Sequence, residues 1–203
     1  MKQFFGILLT LALIGGGFWL LHGQEGRSAS GQLTRVARNL RHEIATQTRE
    51  LTTAAQPPAQ QLSRYETLLC NLANAERKKR GLSTLKIAPA LADVARGHSR
   101  EMMQKGYFSH DSPTPTRRTV QDRYILKYKR PARLIAENIF TMKTTGFYRL
   151  SEADFRRAHE GWMKSPGHRA NILRTEPANP SHIGVGIVVK NGSFWATQNF
   201  SRP

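Results

Sequence analysis

Hydrophobic and polar positions change their rhythm three times along the chain. Residues 4–21, FFGILLTLALIGGGFWLL, carry no charge. Wound as a helix they reach roughly 27 Å, close to the ~30 Å hydrocarbon core of a bilayer. Over residues 33–55 the apolar positions thin out: Leu33, Ala37, Leu40, Ile44, Gln47 and Leu51 step by four and three. That is a short heptad seam, and it predicts a solvated stalk helix. AAQPPAQ, residues 54–60, breaks it and marks a linker.

From residue 61 the helical period returns. Leu62, Tyr65, Leu69, Leu72 and Ala73 predict a helix that ends in RKKR and exits at Gly81. Pro89 opens a second helix along Leu91, Ala92, Ala95, Met102 and Met103, which stops near Gly106. A third is expected from about Arg117 to Tyr128, and LIAENIF, residues 134–140, reads as extended. Ser151 with Asp154 has the form of a helix start, and that helix runs to about Lys164. Ser165 and Pro166 then open a short helix through Leu173, cap first and proline next. The last segment, HIGVGIVVKNGSFWATQNF, alternates at period two on both sides of Asn191-Gly192, the pattern of a hairpin with a two-residue turn. Helices first and strands last imply an α+β fold with helices on an antiparallel sheet. The chain therefore divides into residues 1–23, a signal anchor or signal peptide; 24–60, stalk and Pro-rich linker; and 61–203, one globular domain.

Charge changes the picture of the surroundings. Lys and Arg number 31 against 14 Asp and Glu, a net charge of +17. Only six of the basic and three of the acidic residues precede Pro57, so the excess belongs to the globular part. Such a surface attracts polyanions. RRTVQDRYILKYKRPARL, residues 117–134, concentrates Arg117, Arg118, Arg123, Lys127, Lys129, Arg130 and Arg133 beside Tyr124 and Tyr128, and is the candidate contact for an anionic partner. A nucleic-acid role would rest on charge alone, because no reading motif is present. Cys70, the one cysteine, excludes an intrachain disulfide and a cysteine-based zinc cluster, and reads as a small core residue.

The chemistry narrows by elimination. Histidine precedes glutamate at His42-Glu43 and His159-Glu160, but Thr46 and Met163 stand where a zinc-protease helix needs its second histidine. Gly97-His98-Ser99 begins a nucleophile elbow that Glu101 fails to close. His98 falls on the apolar stripe of its helix and reads as a packed core histidine; His159 reads as a surface or boundary residue. His22 and His42 lie outside the globular domain and His182 sits at a strand entrance, which leaves His110 in YFSHDSP and His168 in KSPGHR, both following turn chemistry where side chains can converge.

Taken in order, YETLLCNLANAERKKRGLSTLKIAPALADVARGHSREMMQKGYFSHDSP, AENIF, GWMKSPGHRANIL and HIGVGIVVKNGSFWATQNF resemble the bacterial branch of the CAP superfamily, which includes cysteine-rich secretory, antigen 5 and pathogenesis-related proteins. The resemblance covers residues 62–200. It implies an α-β-α sandwich with a three-stranded antiparallel sheet between helical layers, and it implies export. Export runs against the positive-inside rule, since Lys2 alone precedes the apolar span while Arg27, Arg35, Arg38 and Arg41 follow it. The nearest small-x-small site, Ser28-Ala29-Ser30, lies well beyond the span, so an uncleaved anchor in the inner membrane is favoured over secretion.

The family's cleft holds two histidines and two acids. By motif the histidines match His110 and His168 and one acid matches Glu137; Ser165 stands where the second acid is expected, and Ala136 replaces a glycine. Two imidazoles and a carboxylate suit a divalent metal with open positions, with zinc favoured by softness. Ser109, Ser112 and Ser165 lie beside the trio in sequence and could orient the rings. No oxyanion loop accompanies them, which disfavours a Ser-His-Glu nucleophile. The resulting expectation is an envelope protein that binds a ligand in a cleft of His110, Glu137, His168 and Ser165, meets anionic wall or lipid partners, and is not a nucleic-acid binder. A metal-dependent hydrolase of peptide or wall substrates is the alternative.

Overall fold

The computed structural model describes residues 26–54, 59–144, 148–175 and 178–203. The apolar span at 4–21 lies outside them; among the described residues no helix is long and apolar enough to cross a membrane. The chain divides into two compact units, residues 1–49 and 50–203. Helix α1, Gly26–Ala54, carries the predicted seam, and its Leu33, Leu40 and Ile44 are about half exposed.

The second unit runs α2 (Ala59–Lys78), β1 (Lys86–Ile87), α3 (Pro89–Lys105), a 3₁₀ turn (Pro115–Arg117), α4 (Val120–Tyr128), β2 (Leu134–Met142), α5 (Glu152–Lys164), α6 (Pro166–Ile172), β3 (His182–Lys190) and β4 (Ser193–Arg202). The sheet order is β1-β3-β4-β2, with β2 and β3 antiparallel to β4 and β1 parallel to β3. The expected three-stranded antiparallel sheet is thus a four-stranded mixed one. Its extra strand is two residues long, Lys86 beside His182 and Ile87 beside Ile183, too short to show a period in sequence. The hairpin is as expected: Asn191 and Gly192 both have positive φ, 50° and 75°.

Helices cover both faces of the sheet. On one, Ile183, Val185, Ile187 and Val189 of β3 join Phe194, Ala196 and Phe200 of β4 in a core shared with Tyr65, Leu69 and Ala73 of α2 and Phe155, Ala158 and Trp162 of α5. On the other, α3 lies almost in contact with β3. A Cβ at Gly184 would come within 2.4 Å of the Ala92 nitrogen, and one at Gly186 within 1.9 Å of the Arg96 nitrogen. Glycine is therefore required at both positions, because α3 occupies the space of their side chains. Ser99 of α3 seals the approach, its hydroxyl 2.8 Å from both the Gly186 carbonyl and the Thr197 hydroxyl. The aborted elbow serine is thus a buried packing residue.

The helix starts follow their sequence signals with two departures. Ser151 and Asp154 form a full capping box at α5. Ser165 occupies the N-cap of α6 but its hydroxyl makes no capping hydrogen bond. The expected helix from Arg117 to Tyr128 is split, because Thr119 caps α4 with Asp122 and leaves only a 3₁₀ turn upstream. The RKKR exit of α2 is not wholly solvated either. Arg77 is fully buried and donates to the carbonyls of Ser83, Ile172 and Arg174 and to Asn179 Oδ1, tying α2 to α6 and the chain beyond it. Cys70 is buried in the core, and burial pushes its thiol up to about 12, which leaves it protonated and unreactive.

Candidate functional site

Strand β2 is the edge of the sheet away from β1, and it carries Glu137 and Asn138 at its buried centre. Successive side chains on a strand point to opposite faces. Glu137 meets the α3–α4 side and Asn138 the α6 side. The two candidate histidines come to the same edge from different layers, His110 from the loop after α3 and His168 from α6.

Glu137 is buried, and both of its oxygens are engaged. Oε1 lies 3.0 Å from His110 Nδ1. A carboxylate only accepts, so Nδ1 carries the proton and the His110 Nε2 lone pair is free for a ligand. Oε2 accepts from Arg123 Nη2 at 2.8 Å. Arg123 is itself buried and clamps the histidine loop: Nη2 donates to the His110 carbonyl at 3.1 Å, and Nη1 to the carbonyls of Arg118 at 2.9 Å and Arg117 at 3.3 Å. This cation, which the sequence places among the candidates for an anionic contact, is the counter-charge of the site.

His98 lies beneath. It is fully buried, and its Nε2 sits 3.0 Å from the Ser109 carbonyl and 3.7 Å from Glu137 Oε1. A carbonyl fixes Nε2 as the protonated nitrogen. Burial holds the imidazole below its ordinary pKa, against the pull of Glu137, so the ring is neutral at pH 7. His98 is the packed, hydrogen-bonded histidine its helical position predicts.

The His110 and His168 rings stand 6.5 Å apart, centroid to centroid, inclined at 49°. His110 is exposed and His168 half-buried, so the gap between them is open to solvent. Burial first, and the nearby His110 second, push the His168 pKa down. Asn138 Nδ2 donates to the His168 carbonyl at 3.1 Å and to Gln198 Oε1 at 3.2 Å. Asn171, three residues after His168 on α6, donates to the Glu137 carbonyl at 3.2 Å and to Asn138 Oδ1 at 2.9 Å. Trp162 Nε1 donates to the Ile139 carbonyl at 3.0 Å. Two outward carbonyls of the edge strand are thus satisfied by α5 and α6, and this docking sets where His168 stands.

The His110 loop has its own anchor in Glu101. Its carboxylate accepts from Tyr107 Oη at 3.2 Å, Ser112 Oγ at 2.9 Å and Thr114 Oγ1 at 2.5 Å, and pairs with Lys105 at 3.0 Å. Burial raises its pKa, but the bonds from Thr114, Lys105 and Ser112 and the Arg117 charge outweigh that and hold it at about 2.

The family model described as CAP: Cysteine-rich secretory protein family matches residues 70–200. The chain belongs to the CAP family. The uncharacterized protein YkwD of Bacillus subtilis is 36% identical over 155 residues, which are 76% of this chain and 53% of that protein. The uncharacterized membrane protein YlbC of the same organism is 32% identical, over 66% of this chain and 34% of its own length. The chain therefore spans about half or less of these curated relatives. Among solved structures, an extracellular SCP-domain protein of Bacillus anthracis is similar with a TM-score of 0.58 at 32% identity, over 73% of this chain and 45% of that one. An outer surface protein of Borrelia burgdorferi shares the fold at 18% identity and a TM-score of 0.56, over 68% of this chain and 92% of its own.

Within this CAP domain the structure brings His110, Glu137 and His168 to one edge of the sheet. Ser165 lies at the start of α6, half-buried, with no side-chain bond to the three. Ser109 and Ser112 do not orient the rings: Ser109 Oγ accepts from the Asp111 backbone and Ser112 serves Glu101. Glu137 turns both oxygens to His110 and Arg123, and among the described residues no three His, Cys, Asp or Glu are grouped to hold a metal ion. Arg123, His98, Asn138, Asn171 and Glu101 support the site without having been singled out for it. Asn171 has a sequence signal, its three-residue spacing from His168 on one helix. Arg123 has a weaker one, a cation beside the fully buried Tyr124. His159, read as surface or boundary, is buried with its Nδ1 unpartnered, and burial pushes its pKa down.

Proposed function

We propose that this CAP-family chain is an exported envelope protein that binds a polar ligand between His110 and His168. The observation that carries the reading is the 3.0 Å contact of His110 Nδ1 with buried Glu137. It fixes the ring and its tautomer and turns the free Nε2 toward solvent, opposite a second imidazole whose pKa is lowered. The two rings then offer hydrogen-bonding nitrogens to a hydroxyl- or amide-rich ligand. Export is supported by the likeness to the extracellular Bacillus anthracis protein, and anchoring by the uncharged stretch at 4–21. The net charge of +17 favours anionic wall or lipid components as the surroundings.

Co-sedimentation of the full chain with purified bacterial sacculi tests this. The His110→Ala/His168→Ala chain should lose at least about tenfold in affinity, a cost of ~1.4 kcal/mol or more, with its thermal midpoint kept. Equal binding by both chains would remove the cleft from the reading.

A second reading, hydrolysis of peptide or wall substrates, is favoured by one feature of the same contact. A carboxylate-held histidine with a free Nε2 is a competent general base. Nε2 would take a proton from water attacking an amide carbon between the two rings. Release of free amines from sacculi by the wild-type chain, absent with His110→Ala, is the result that reading requires.

A further inference from the structure

The cations of residues 117–134 divide into two groups. Arg117, Arg118, Arg123 and Lys127 are paired with Glu101, Asp111, Glu137 and Asp93. Lys129, Arg130 and Arg133 are exposed, and their side chains make no hydrogen bond or ion pair among the described residues. Asp122 is the one carboxylate in the segment, and the Thr119 backbone and hydroxyl already donate to it, at 2.8 and 2.9 Å, in the cap of α4.

The three uncompensated cations lie beside an apolar surface. Ile125 and Leu126 are 39% and 49% exposed, although Arg123 and Tyr124, just before them on α4, are buried. Lys129 ends the helix one turn after Ile125, with φ 59° and its N–H on the Ile125 carbonyl at 2.8 Å. The connection that follows folds back along α4, because Gln121 Nε2 donates to the Ala132 carbonyl at 3.3 Å. Gln121 and Ile125 stand one turn apart on the same ridge. Arg130 and Arg133, which flank Pro131 and Ala132, are therefore held on that side of the helix. Tyr128 braces this end from within, its ring stacked 4.1 Å from that of the fully buried Tyr124.

We propose that the end of α4 and the 129–133 connection form a docking surface for an anionic lipid bilayer. Ile125 and Leu126 enter the boundary of the acyl chains while Lys129, Arg130 and Arg133 meet the lipid phosphates. A hydrated polyanion such as a wall polymer would meet the same cations but leave both aliphatic side chains in water, so the combination favours lipid. Two aliphatic side chains and three cations make a weak contact alone. The uncharged stretch at 4–21, read as an anchor, holds the chain at a bilayer and makes a weak second contact effective. The proposal rests on the anionic surroundings of the proposed function and not on its histidine cleft.

Leu126→Cys and, separately, Glu160→Cys on α5 are labelled with the same environment-sensitive fluorophore in the full chain. Cys70 stays unlabelled, because it is buried with its thiol pushed up to about 12. The labelled chains are reconstituted in vesicles of phosphatidylcholine with brominated acyl chains, with and without about 30% phosphatidylglycerol. Bromine quenches only a fluorophore that reaches the acyl region. The Leu126→Cys label should be quenched at least about twofold in the anionic vesicles and match the Glu160→Cys label in the neutral ones. Adding Lys129→Gln, Arg130→Gln and Arg133→Gln should abolish the quenching and keep the thermal midpoint, since these side chains have no partners to lose. Equal quenching of the two labels in anionic vesicles, or quenching that survives the three substitutions, would overturn the assignment. So would an unquenched Leu126→Cys label in a chain whose binding to sacculi falls with the three substitutions, because the partner would then be a wall polymer. With His110→Ala/His168→Ala added, the Leu126→Cys label should be quenched as before, so failure of the cleft reading and failure of this one are separate results.

Discussion

At the scale of single residues, Arg123 and Glu101 decide whether the His110 loop exists in one conformation. Arg123 and Glu137 form a buried ion pair, and removing one partner strands the other charge. Arg123→Met should therefore cost about 3–5 kcal/mol in urea denaturation. A loss below about 1 kcal/mol would mean that Glu137 is not paired as described. Glu101 makes a pH prediction with a definite sign. Its folded pKa of about 2 lies below the ordinary value of 4.5, so its contribution is complete above pH 4.5 and fades as pH falls toward 2. The size is about 3 kcal/mol at neutral pH. Glu101→Gln should flatten the acid limb of the stability profile between those values, as followed by urea midpoints. An unchanged acid limb would contradict the anchoring role.

At the scale of elements, the reach of the sequence depended on length and on which side a residue turned. Long periodic segments were legible: α2, α3, α5 and the hairpin stand where their periods put them. β1 was not, because two residues cannot display alternation. The burial of Arg77 and Arg123 was not legible, for one shared reason. Nothing in a run of cations marks the member whose guanidinium will find buried carbonyls or a carboxylate. The polar face of β4 also ran against simple patterning. Thr197, Asn199 and Ser201 are all buried, because α3 lies over them and answers with Ser99. The close approach of α3 is itself testable. Gly186→Ala would place a methyl inside the backbone of Arg96. It should cost more than about 4 kcal/mol, at the extreme of single substitutions, or prevent folding. Gly167→Ala, where a Cβ meets nothing within 4 Å, is the control that should fold normally.

At the scale of the whole molecule, the site draws its members from the α3–α4 loop, β2 and α6, residues far apart in sequence that meet only because β2 is the edge of the sheet. Motif likeness supplied His110, Glu137 and His168; their arrangement came from the fold. The basic segment changes meaning at this scale too. Arg117, Arg118, Arg123 and Lys127 face Glu101, Asp111, Glu137 and Asp93, so part of the apparent surface charge is internal bracing. The central claim is that His110 and His168 act as one site, and imidazole titration by NMR tests it most directly. In the wild-type chain the His168 midpoint should fall below its ordinary 6.5, and His110→Ala should move it upward by removing the neighbouring charge. A His168 midpoint that stays in place when His110 is removed would contradict the account.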